Sequence, residues 1–167
     1  MRGLIAGLVL ALGLAGAASA QERRPTVVLL DGLGVYVATA YVGVSALAEP
    51  LRRQGYRALI DNHLALNVAE ERPAVLIGHS MGGTMALRLA AREVAAGRPA
   101  PLVITIDAAF GSPPCPVPRC INYYSPGFPQ VEGAENIDAW KAGAFMVPHA
   151  MLATNPAVQK LVLDRAA

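Results

Sequence analysis

A parallel α/β sheet covered by helices on both faces is the fold this sequence predicts, and three observations predict it. Apolar and β-branched runs at 26–30, 74–77 and 102–106 lack the apolar–polar alternation of a half-exposed strand, as strands buried on both faces do. Segments with helical spacing separate these runs, most clearly at 81–96. Asp31, His63, Ser80 and Asp107 each fall just beyond a strand, at the edge where such sheets place their ligand sites. About five strands, mostly parallel, fit the pattern, without a cap domain.

The first twenty residues stand apart from that domain. Arg2 is a short positive region, residues 4–14 are an apolar stretch, and Ala18-Ser19-Ala20 forms a small-x-small cleavage pattern before Gln21. This is the composition of a secretory signal peptide, too short and too rich in Ala and Gly to read as a retained anchor. Residues 21–167 then form one domain of ordinary size. The whole chain has 167 residues and a formal charge of +2, with no basic run. That balance argues against nucleic acid or an anionic membrane as a partner. Aromatic residues make up 5% of the chain, too few for a carbohydrate-stacking platform.

The elements follow in order. The strand at 26–30 ends in Asp31-Gly32-Leu33-Gly34, a Gly-rich turn. A helix is expected over 45–54, with Leu47 and Leu51 at i and i+4, Pro50 weakening it and Gly55 closing it. A second strand is expected at 56–60, leading to Asp61-Asn62-His63, and a short helix at 64–72 before Pro73. After the strand at 74–77, the helix 81–96 presents Gly82, Gly83, Ala86 and Ala90 to the sheet, with Arg88, Arg92 and Glu93 toward solvent. The strand 102–106 runs into Asp107, and a Pro-rich excursion at 111–120 precedes a fifth strand at 121–124. A long loop holds Trp140 and His149, and Asn155-Pro156 opens a terminal helix. Cys115 and Cys120 frame a Pro-Val-Pro-Arg loop, and in an exported chain they read as a disulfide beside the site. Two thiolates without neighbouring His or acid ligands fall short of a metal centre.

Gly78-His79-Ser80-Met81-Gly82 carries most of the functional information. It is G-x-S-x-G between a strand and a helix, where a sharp reversal lifts the serine clear of the sheet. Gly78, Gly82 and Gly83 remove side chains that would collide at that turn. The Met81 amide then points to where an oxyanion would form, and Leu33 in the first turn is the best second donor. A serine needs a base, and the base needs an orienting acid. Of the three histidines, His79 inside the motif reads as packing, His63 as a rival base, and His149 as the favoured base. Asp107 is the favoured acid, and Glu135 and Asp138 are later alternatives.

These residues together resemble a small α/β-hydrolase of the lipase, esterase and thioesterase kind, reduced to a minimal core. The resemblance rests on Leu30-Asp31-Gly32-Leu33-Gly34, Gly78-His79-Ser80-Met81-Gly82-Gly83, Ile104-Thr105-Ile106-Asp107, and His149 before a short helix. It implies Ser80 as nucleophile, His149 as base, Asp107 as acid, and Leu33 with Met81 as oxyanion donors. The expected activity is hydrolysis of a small acyl ester or thioester, without cofactor or metal and without a stable membrane anchor once the leader is removed. In the family's usual pattern a histidine stands at the oxyanion turn where this chain has Asp31, which puts a carboxylate near a site meant for negative charge. That departure and the small size of the chain keep open an inactive binding or scaffold protein, and the same nucleophile would also serve an acyltransferase.

Overall fold

The computed structural model describes residues 24–33 and 43–167. The proposed leader and Gly34 lie outside these residues. Six strands form one sheet: β1 (Thr26–Asp31), β2 (Arg57–Asn62), β3 (Val75–His79), β4 (Leu102–Ile106), β5 (Cys120–Tyr124) and β6 (Glu135–Asp138). Their order is β2-β1-β3-β4-β5-β6, and every neighbouring pair is parallel. All carboxyl ends therefore share one edge. The sixth strand goes beyond the five expected. Glu135-Asn136-Ile137-Asp138 holds one apolar residue, so an edge strand this short shows no hydrophobic run.

Alternation along β1 divides the core. Val27 and Leu29 join Ile77, Ile104 and Tyr123 under Leu47, Leu51, Val158 and Val162. Val28 and Leu30 join Leu76 and Val103 under Ala86, Leu87 and Ala90 on the other face. The first face is covered by a 3-10 turn (Val44–Leu47), α1 (Ala48–Arg53) and α4 (Pro156–Ala166). Among the described residues, the second carries one helix, α2 (Met81–Ala95). The expectation of helices on both faces holds, yet the β4–β5 and β5–β6 crossovers are coil, covering the sheet with Val117 and Val131.

Several local expectations need correction. Residues 64–72 form turns, not a helix. Asp61 accepts hydrogen bonds from the amides of Asn62 (2.8 Å) and Asn67 (2.8 Å), and Asn62 Oδ1 from that of Leu64 (2.8 Å), which compete with helix formation. Pro50 is the third residue of α1, where the missing N–H would have had no intrahelical partner, so it does not weaken the helix. Glu93 is buried against Arg98, with N–O distances of 2.6 and 2.7 Å, rather than solvated. Asn155 caps α4 through the amides of Ala157 and Val158 at 3.0 and 3.3 Å, as Asn before Pro predicts. Cys115 and Cys120 form a disulfide. Cys120 begins β5, so the bond lies at the edge opposite Ser80 and not beside it.

Candidate active site

Ser80 connects β3 to α2 with φ 56° and ψ −124°, a positive φ that non-glycine residues seldom adopt. Backbone hydrogen bonds hold it there. Its amide donates to the Ile106 carbonyl (3.0 Å), and its carbonyl accepts from the amides of Gly83 (3.0 Å) and Ala109 (3.2 Å). The flanking glycines are needed because a Cβ at Gly82 would collide with the Leu30 carbonyl, and one at Gly78 with the backbone of Gly82. Met81 opens α2, so its amide is among the helix's unpaired donors. The first turn comes in close beside it: a Cβ at Gly32 would stand 2.9 Å from Ser80 Cβ, and Leu33 follows, exposed. Among the described residues the Ser80 hydroxyl has no hydrogen-bond partner.

Asp107 ends β4 one strand over, fully buried and also at positive φ (45°). Its Oδ1 accepts from the Ser125 amide (2.6 Å); its Oδ2 accepts from the Ser125 hydroxyl (2.8 Å) and faces His149 Nδ1 (3.0 Å). A carboxylate accepts, so Nδ1 of His149 donates, and in the neutral ring Nε2 then carries the lone pair. His149 opens α3 (His149–Leu152), a four-residue helix that the sequence did not suggest. Glu135 and Asp138 are committed elsewhere. Glu135 pairs with Arg165 at 2.6 and 3.0 Å, while Asp138 accepts from the amides of Trp140 (3.0 Å) and Lys141 (3.2 Å).

His79 is buried and lies against His149. Its Nε2 donates to the His149 carbonyl (3.0 Å), with ring centroids 4.5 Å apart. Burial, aided by the His149 charge, holds its pKa down at about 4. Phe128 stacks on the other ring, centroids 4.1 Å apart and planes within 11°. His63 lies past β2, two strands from β3 in the sheet, and its buried Nδ1 has no partner among the described residues. Sequence reasoning missed Ser125 and Phe128. A serine directly after β5 at the functional edge was the available signal for the first; nothing local marks the second.

Asp31, at the first turn, is fully buried. Its buried carboxylate accepts from the Ser45 amide (3.3 Å) and lies against Gly43, where a Cβ would collide with it. Burial pushes its pKa up, so negative charge there is disfavoured. A cavity of about 1240 Å³ opens at the opposite edge of the sheet, bordered by Arg24, Arg52, Tyr56, Arg57 and Arg72. Leu33, Met81 and Phe110 are exposed at 69, 40 and 73%. Among the described residues, no group of three or more His, Cys, Asp and Glu side chains is placed to hold a metal ion. A family model described as the alpha/beta hydrolase family matches residues 5–167. No curated protein and no solved structure matches the chain.

Proposed function

The chain belongs to the alpha/beta hydrolase family, and on that premise we propose that it is an exported serine hydrolase cleaving carboxylic esters or thioesters through an acyl-Ser80 intermediate. One observation carries the reading: a serine at positive φ opens a helix, its backbone bonded to Ile106 and Ala109 on either side of Asp107, and Asp107 lies 3.0 Å from His149. Ser80 Oγ attacks the acyl carbon while His149 Nε2 takes its proton. Asp107 accepts from Nδ1–H and stabilises the imidazolium that forms. The amides of Met81 and Leu33 receive the oxyanion, a donor pair of which each member contributes on the order of 10²–10³ in turnover. Collapse of the tetrahedral intermediate expels the alkoxide or thiolate, which takes the proton from His149. Water, deprotonated by the same Nε2, then attacks the acyl-serine and returns the hydroxyl to Ser80.

The scaffold alternative drew on Asp31 and the small size of the chain, and the bond that the Asp31 carboxyl accepts from the Ser45 amide supports the hydrolase reading against it. Export rests on the leader composition of residues 1–20, and the Cys115–Cys120 bond is consistent with an oxidising compartment. No helix of the described residues is long and apolar enough to cross a membrane. Labelling with a fluorophosphonate tests the nucleophile. Intact mass is expected to show one adduct on the wild type and none on Ser80→Ala, with both proteins melting together. A wild type that resists labelling overturns the reading.

A further inference from the structure

We propose that His79 is a positioning residue that sets the distance between nucleophile and base, acting with Phe128 to clamp the His149 imidazole. The inference rests on the assignment of His149 as the base. His149 has little local support: α3 spans four residues, its N-cap Pro148 offers no side-chain hydrogen bond, and residues 139–148 contain no longer helix or strand. A helix this short is not stable by itself. The ring is therefore held by contacts from elsewhere, and those contacts form a specific set. Asp107 fixes Nδ1, Phe128 covers one face at 4.1 Å, and His79 sits against the ring at 4.5 Å.

The His79 contact differs from the others because it grips the backbone. A carbonyl oxygen can only accept, so His79 carries its proton on Nε2 and donates to the His149 main chain. Its Nδ1 is buried without a partner among the described residues, which suits an unprotonated nitrogen better than an N–H. The depressed pKa keeps the ring in this neutral, single-donor form across the physiological range. His79 is also the residue covalently next to Ser80. Its own position is fixed by β3, where it pairs in register with Ile106. One hydrogen bond thus ties the main chain of the base to the immediate neighbour of the nucleophile. A misplacement near 1 Å costs a catalytic arrangement on the order of 10²-fold.

His79→Leu keeps the bulk and removes the donor, whereas His79→Gln can return an N–H to the Nε2 position. On a short activated ester, His79→Leu is expected to lower kcat about 10–100-fold with KM within about three-fold. His79→Gln is expected to recover most of that loss, a rescue that simple packing would not predict. The clamp is overturned if His79→Leu keeps kcat within two-fold, or if His79→Gln is no better than His79→Leu while both remain folded. Should His79→Leu fail to fold, Phe128→Ala tests the clamp from its other face: a kcat loss of about ten-fold or more supports it, and retention within two-fold overturns it. His149→Ala, run alongside, separates the two layers. If His149→Ala is as active as the wild type, the base assignment itself fails; if it is inactive while His79→Leu is fully active, only the clamp fails.

Discussion

Ser80 and His149 come to the same edge of the sheet by opposite means. The serine is positioned locally: a buried strand leads into it, a fifteen-residue helix leads out, and glycines at 78 and 82 clear the space. The histidine sits at the start of four helical residues after a coil, and its position comes from His79, Asp107, Ser125 and Phe128. One half of the site is thus encoded in a few consecutive residues and the other in contacts spread over the chain. Damage to the first should cost fold and chemistry together. Damage to the second should cost chemistry while the fold survives.

The largest separation of the two effects is expected at Asp107. Asp107→Asn leaves Ser125 a partner for its amide but presents the wrong group to His149 Nδ1, so turnover should fall about 10³–10⁴-fold. The melting temperature should move little, and Glu135→Gln, which breaks only the Arg165 pair, should keep kcat within about two-fold. Gly82→Ala probes the other half. Its methyl meets the Leu30 backbone, which cannot move as a side chain can, so urea unfolding should report a loss of roughly 3–4 kcal/mol along with lost activity.

Acid should weaken the junction between the halves. Folded His79 stays neutral down to about pH 4, whereas the unfolded chain takes that proton near 6.5. The unfolded state therefore binds more protons in this window, and stability present above pH 6.5 is lost as pH falls toward 4, by at most about 3 kcal/mol. Asp31 works with the opposite sign. Its raised pKa lets the folded carboxyl protonate first, so acidification returns stability and partly offsets the loss. Chemical melts from pH 7 to 4 should show a shallower decline for His79→Gln than for the wild type. The smallest effect on chemistry is expected from the disulfide. Cys115→Ser with Cys120→Ser should cost about 2 kcal/mol of stability in the chain-entropy model and leave kcat within about two-fold, since the bond sits at the opposite edge.

What could be read from the chain follows the same division. The elbow was legible because strand, glycines, serine and helix are contiguous, and Asp107 because it directly follows an apolar and β-branched run. The Cys115–Cys120 pairing was legible from spacing, but its location was not, because the coil crossover carries the loop back across the sheet to the start of β5. β6 has one apolar residue, so no pattern announces it. The 64–72 segment misled because Asp61 and Asn62 side chains accept from its amides, which competes with the short helix expected there. Phe128 and Ser125 gain their places only when β5 is laid beside β4, a juxtaposition that linear spacing does not contain.

The choice between His149 and His63 as base tests the account most directly. His63 follows β2 and His149 opens α3, but only His149 is bonded to Asp107, while His63 lies on the far side of β1 from the elbow. Turnover of a short activated ester by His149→Ala should fall on the order of 10³–10⁶-fold, with a residual rate from the oxyanion donors, while His63→Ala stays within a few-fold of wild type. A silent His63→Ala beside a nearly normal His149→Ala would contradict the account and move the base to the end of β2.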